Sequence, residues 1–272
     1  MEPCRSCENH WLACMAGVGG SRVTRLTGGL VLSSPHMSGA FVNCLLPRDC
    51  PADRLAAFLE AGEALLAAYG EPPALFLSPD AGDLPALTGV LMDRGWRPAV
   101  RQVVLGCDLP LPQASVSTDV EVREVDPAQP ELWIETLAAA YGTEPLRAHS
   151  ISRAWAGLAA SPGEGCRALL CLAYLGGAPA GTGLAWMQGS TAGLYCGAVL
   201  PACRRRGVER ATMLYRLDWA AAAGCRQAIL QTEVGSPVEH LCVDRLGFRR
   251  LYQRTLWLPA GNWQMLPLWA TC

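Results

Sequence analysis

From Ala168 to Cys203 the chain carries no charged side chain. A run of that length has to leave water, either in a bilayer or in the core of a sheet. A membrane helix needs about 20 consecutive, predominantly apolar residues with few breaks. Here Gly176-Gly177, Pro179, Gly181, Gly183 and Gly189 divide the run into strand-length pieces. The expectation is therefore three buried strands joined by glycine turns, with no membrane span.

The flanks of this run give the organisation. Before it, strand patterns at Arg22–Ser33 and Ala40–Leu45 precede a helix opened by Pro51-Ala52-Asp53 and closed by Gly70 and Pro72-Pro73. A strand at Ala74–Leu77, a helix over Asp83–Arg94 and a strand at Val100–Cys107 follow. Residues 109–118 hold two prolines, two serines and few apolar companions, and are expected to be a linker between segments 1–110 and 119–272. The second segment opens with a strand at Val120–Val125 and helices over Pro130–Tyr141 and Leu146–Ala160. After the apolar run come a helix Gly207–Ala223, a strand Gln227–Thr232, a helix Ser236–Leu246 and a closing strand through Leu258. Both segments thus end β-α-β-α-β, and an internal duplication of the fold is expected.

Composition removes several classes of function. A net charge of −2 gives no basic field for nucleic acid. All 22 basic residues are arginine, which excludes Schiff-base chemistry on a lysine. Thirteen cysteines is an odd number in a large chain without a leader-like opening, so free thiols in the cytoplasm are expected rather than a disulfide framework. Cys4, Cys7, His10 and Cys14 are too closely spaced for two zinc-ligand pairs and read as a short helix using cysteine as a small apolar residue; no metal is expected.

The stretch Val199-Leu200-Pro201-Ala202-Cys203-Arg204-Arg205-Arg206-Gly207-Val208-Glu209-Arg210 joins the last apolar strand to a helix. A helix start presents unpaired N–H groups and roughly half a positive charge, which makes it an anion site. Gly207 has no Cβ to hold a phosphate away, and three adjacent arginines add positive field.

These residues resemble the Q/R-x-x-G-x-G/A loop of the GNAT superfamily of N-acetyltransferases, through Arg204 and Gly207, with the upstream V-x-P given by Val199 and Pro201. Ser236 to Phe248 resembles the same family's N-x-x-A-x-x-x-Y-x-x-x-G-F helix, in the right order and at the right distance. The resemblance implies an α/β fold: a mixed, mostly antiparallel sheet flanked by helices, in two tandem GNAT-like units, the first degenerate and without a cofactor loop. It further implies acetyl-CoA as acyl donor, held by Ala198, Val199, Arg204, Arg205, Arg206, Gly207, Val208, Glu209, Arg210 and Ser236. The acceptor would be the amine of a small molecule or peptide, attacking the thioester directly; the rival reading is a non-catalytic acyl-CoA-binding protein.

Three positions depart from the pattern: Glu209 for Gly or Ala, Ser236 for Asn, and Val243 for the Tyr that often protonates the departing thiolate. A carboxylate about 6 Å from one phosphate charge costs on the order of 1–2 kcal/mol at an effective dielectric near 40. Glu209 is thus expected to weaken affinity or to turn outward. With Val243 unable to donate, Tyr195 and Tyr252 are candidate acids, and Glu233, at the end of a strand, is the candidate general base, with Tyr195 next in line. Neither the acceptor nor the oligomeric state is legible.

Overall fold

The computed structural model describes residues 2–70, 72–111, 119–142 and 145–261; most of the expected linker, 112–118, lies outside them. By chain contacts these residues form two compact units. The first comprises the chain up to Val104, Gln231–Val234 and the stretch from Arg250; the second comprises Leu105–Leu230 and Gly235–Arg249. The units therefore follow strands, and the segment expected as 119–272 contributes to both of them.

The first unit opens with helix α1 (Glu2–Ala16), where the cysteine cluster falls. Strands β1 (Arg22–Leu26) and β2 (Gly29–Ser33) follow as a hairpin with Leu26 opposite Gly29. The single strand expected over Arg22–Ser33 is thus two, because the chain reverses at Thr27-Gly28. Strand β3 (Cys44–Pro47) pairs antiparallel with β2; helix α2 (Ala52–Ala67) then carries the chain to β4 (Leu75–Leu77), parallel to β3. The β3 strand starts later than expected because Asn43 ties the preceding loop, accepting from Ser34 N at 2.8 Å and donating to Met37 O at 2.7 Å. Helix α3 (Leu84–Asp93), capped by Asp83, leads into β5 (Trp96–Asp108), which leaves the first unit after Val104. The apolar face of α2, Leu55, Phe58, Leu59 and Leu66, closes the core with Leu87, Leu91, Trp96 and Trp257.

The second unit contains β6 (Val120–Val125), helices α4 (Glu131–Tyr141) and α5 (Pro145–Ala160), and the strands β7 (Cys166–Leu175), β8 (Ala178–Gln188) and β9 (Thr191–Val199). The four strands form an antiparallel meander. The charge-free run is β7 to β9, and β8 is buried without alternation from Ala180 to Met187. That pattern follows from cover on both faces, by α4 on one side and by helix α6 (Val208–Ala222) on the other. Strand β10 (Gln227–Glu233) lies parallel to β9; helix α7 (Pro237–Leu246) and strand β11 (Arg249–Pro259) complete the described chain. Strand β11 pairs antiparallel with β4, Thr255 opposite Leu77, so it belongs to the first unit. Each unit is a mixed, mostly antiparallel sheet flanked by helices, with one parallel step across a helix, β3–α2–β4 or β9–α6–β10. No described helix is long and apolar enough to cross a membrane.

A buried ionic network ties α1 into the first unit. Arg254 of β11 donates to Glu8 Oε2 at 2.8 Å and to Gln102 Oε1 at 3.0 Å, while Tyr252 donates to Glu8 Oε1 at 2.8 Å. The guanidinium lies 4.4 Å from the ring centre of Trp11 and 4.3 Å from that of Phe76. Both charges are 1% exposed, so neither has water as an alternative partner. Removing one member strands the other. Glu8→Ala is expected to lower unfolding free energy by about 3–5 kcal/mol, measured by urea denaturation.

Candidate active site

Strand β9 changes character halfway along. Its pairing with β10 covers Thr191, Ala192 and Gly193, opposite Gln227, Ala228 and Ile229. From Leu194 onward that edge of β9 is not paired with β10, and Gly197 is exposed while Ala198 and Val199 are half-buried. On its other edge the register with β8 shifts: Ala198 faces Thr182, but Tyr195 faces Leu184, leaving Cys196 and Gly197 opposite Gly183 alone. This is a β-bulge, which frees backbone groups from the ladder and bends the strand. Cys196 sits in the left-handed region at φ 50°, and its carbonyl accepts from Thr182 Oγ1 at 2.9 Å.

The chain then turns through Leu200 and one turn of 3-10 helix, Pro201–Cys203, into the arginine loop. Arg205 has φ 60° and Gly207 φ 83°, and Gly207 is the N-cap of α6 with no side-chain cap bond. The first bond that closes the helix is Ala211 N to Gly207 O, at 3.0 Å. The amides of Val208, Glu209 and Arg210 therefore precede the helical ladder, as a helix start requires. Arg204, Arg205 and Arg206 are exposed around them, and Arg210 Nε is buried without a bond among the described residues. Val208 points the other way, into the core with Val120, Ala173 and Ala180. The loop is thus anchored by Val208, with Cys203 packed against the same cluster, and carries the helix-start amides and guanidinium groups.

Of the two outcomes expected for Glu209, weakened affinity or an outward turn, the structure does not show the outward turn. Its Oε1 lies 3.6 Å from Arg216 Nη2, and Arg216 is 1% exposed. Burial pushes the Glu209 carboxyl upward, and the neighbouring guanidinium opposes that shift. The inward turn has a plain cause, because a buried guanidinium needs a counter-charge.

The remaining expected residues divide. Ser236 caps α7, its Oγ accepting from Glu239 N at 3.2 Å. Tyr195 folds its ring over Gly193 and stacks on Trp155, centroids 5.4 Å apart. Tyr252 is bonded to Glu8 in the first unit. Glu233, at the end of β10, has Oε1 buried without a bond among the described residues, and burial raises its carboxyl above the ordinary range. Cys242, on α7, is buried, and His240 faces solvent beside Asp244. Trp186 is a core residue whose ring N–H donates to Pro162 O at 3.0 Å.

The structure adds residues that the sequence reading missed. Tyr141, the last residue of α4, is buried and hydrogen-bonds the Cys196 side chain; burial keeps its phenol protonated far above the usual range. Arg216 follows Glu209 by seven residues on a face otherwise occupied by Val208, Thr212 and Met213. A charged residue at that position of an apolar face was the available signal.

The loop in the first unit that corresponds to Arg204–Gly207 differs in what its amides do. Between β3 and α2, Asp49 N donates to Asp80 O at 2.9 Å and Cys50 N to Ala81 O at 2.7 Å. The 3-10 turn Pro79–Ala81 of the same unit thus occupies these donors.

Residues 130–248 match the model of the Acetyltransferase (GNAT) family. Among solved structures, a GCN5-related N-acetyltransferase from Kribbella flavida superposes with a TM-score of 0.71 at 17% identity, covering 95% of this chain and 96% of its own. A GCN5-related N-acetyltransferase from Sphaerobacter thermophilus gives 0.61 at 16% identity, covering 85% and 79%. A tandem GNAT protein from the clavulanic acid biosynthesis pathway gives 0.59 at 13% identity, covering 84% and 77%. At these identities the likeness is one of fold. No curated protein matches the chain.

Proposed function

We propose that this chain, whose residues 130–248 form a GNAT-family domain, is an N-acetyltransferase that takes its acyl group from acetyl-CoA and passes it to the amine of a small molecule or peptide. The observation that carries this reading is the conjunction, within Tyr195–Arg210, of a bulged strand whose edge toward β10 is unpaired and a helix start ringed by arginines. A phosphate-bearing thioester calls for both: an anion seat at one end and backbone donors at the other.

The residues present fit such a donor. The amides following Gly207, with Arg204, Arg205, Arg206 and Arg210, would hold the pyrophosphate. The unpaired edge of β9 at Ala198 and Val199 would hold the pantetheine amides, and Ser236, at the start of α7, would lie along the same ligand. The donor, when bound, supplies the activated acyl group. The chain's share is to orient it and to present N–H groups of the bulge to the carbonyl oxygen, where negative charge develops.

An amine attacks only when neutral, so a base is needed near neutrality. Glu233 suits that task through its own state, a partly desolvated carboxyl with one oxygen unbonded. A thiolate leaves readily, so replacement of the family's tyrosine by Val243 removes little. The free thiols among the described cysteines suit a reducing compartment such as the cytoplasm.

Three predictions test this. Gly207→Asp introduces both a Cβ at φ 83° and a negative charge at the anion seat. Calorimetric titration should show acetyl-CoA binding to the wild type and none to this variant; equal affinities would place the pyrophosphate elsewhere. Once an amine panel has given a substrate by thiol release, Glu233→Gln should lower turnover by about 10²-fold or more, whereas Val243→Tyr should stay within about tenfold. Because burial raises the Glu233 carboxyl, the wild-type rate should fall with decreasing pH through a limb above the ordinary carboxylate range, and Glu233→Gln should lack that limb. A Glu233→Gln enzyme at full rate would pass the base role to Tyr195. Binding of acetyl-CoA without thiol release to any amine would favour a pure binding protein.

A further inference from the structure

The bulge in β9 has a visible support. Arg216 Nη1 donates to Tyr195 O at 3.0 Å and to Leu184 O at 3.4 Å, and its Nε donates to Thr212 O at 3.1 Å. The two strand carbonyls belong to facing residues on one side of the register shift. One planar guanidinium therefore fastens β8, β9 and α6 where the ladder is broken. A lysine has no fork with which to reach the same three carbonyls.

Two glycines make the room. A Cβ on Gly183 would lie 2.8 Å from Arg216 Nε; one on Gly197 would lie 3.0 Å from Glu209 Oε1 and 3.2 Å from Arg216 Nη2. These glycines are the residues of the bulge and its partner strand. Glu209 closes the arrangement from the first turn of α6, where it supplies the only carboxylate within ion-pair distance of Arg216 among the described residues. Four residues from two strands and one helix thus fit one another: two glycines, a guanidinium and a carboxylate.

We propose that Glu209 and Arg216 are a positioning pair that holds the β9 bulge in the shape that receives the acyl end of the donor. The departure of Glu209 from the small residue of the loop pattern is then part of the device, since its charge is directed at Arg216 and away from the phosphates. The acyl role rests on the acetyl-CoA reading above; the support of the bulge does not.

The two possible roles of Glu209 predict opposite signs. A carboxylate that merely opposes the phosphates would, once neutralised, let the donor bind more tightly. A carboxylate that supports the bulge would, once neutralised, loosen Tyr195–Ala198. The test uses the full chain, wild type and Glu209→Gln, in two measurements. Amide hydrogen exchange without ligand should be about tenfold faster over Leu194–Ala198 in the variant, the loss expected for a weakened charged hydrogen-bond cluster, and unchanged over β6 and β7. Titration calorimetry should show acetyl-CoA bound about tenfold more weakly by the variant, with adenosine 3′,5′-bisphosphate, which lacks the acyl arm, bound equally by both.

Arg216→Lys, which keeps the charge and loses the fork, should reproduce both effects and carries the test should Glu209→Gln fail to fold. Unchanged exchange over Leu194–Ala198 together with tighter acetyl-CoA binding by Glu209→Gln would overturn the proposal. A wild-type chain that does not bind acetyl-CoA would sink the donor reading and the acyl role with it, while the exchange data would still decide whether the pair supports the bulge.

Discussion

A single buried guanidinium determines the shape of the strand on which the candidate site is built. Arg216 bonds carbonyls of β8, β9 and its own helix, and the bulge at Cys196-Gly197 lies where those bonds meet. From there the rest of the site follows in chain order. The bent strand leads into a short 3-10 turn, the turn into two left-handed residues, and these into a helix whose first amides precede the ladder. A charge this deep is costly unless it is paired and fully bonded, which accounts for the inward turn of Glu209 and for glycine at 183 and 197.

What the sequence made legible was local. The strand-to-helix loop could be read because Gly207 and the arginines are contiguous, and because helix starts bind anions whatever surrounds them. The charge-free run was legible as a buried meander because its glycines fall at strand-length intervals. The long-range partners were not legible. Arg216 lies two turns along α6 from Glu209, marked only as a charge on an otherwise apolar face, and nothing adjacent to Cys196 announces the Tyr141 hydroxyl that bonds it. Periodicity also misplaced the reversal at Thr27-Gly28, since apolar residues continue on both sides of the turn. It gave the closing strand through Leu258 but not its pairing with β4, which depends on a partner far away in sequence.

The two halves of the chain show how one strand–loop–helix unit can be put to different uses. After β9 the loop holds Arg204 to Gly207 and presents its amides outward. After β3 the loop is Arg48-Asp49-Cys50, and its amides donate to the carbonyl groups of Gly28, Asp80 and Ala81 of the same unit. Asp80 itself is buried, accepts from Ser78 Oγ at 2.9 Å and lies 3.6 Å from Arg48 Nε. An internal carboxylate stands beside this loop, and the loop's Asp49 and Cys50 amides are committed to carbonyl groups of the same unit, so neither is left for an external anion.

The placement of β11 matters for how the molecule is made. Its residues from Arg250 complete the sheet of the first unit beside β4, although the whole second unit intervenes in the chain. During synthesis the first unit therefore emerges with an open edge at β4 that persists until the second unit has been translated. Such an edge invites pairing with other chains. Until β11 has been made the first unit cannot close its sheet, so its protection from such pairing comes only with residues that follow the second unit.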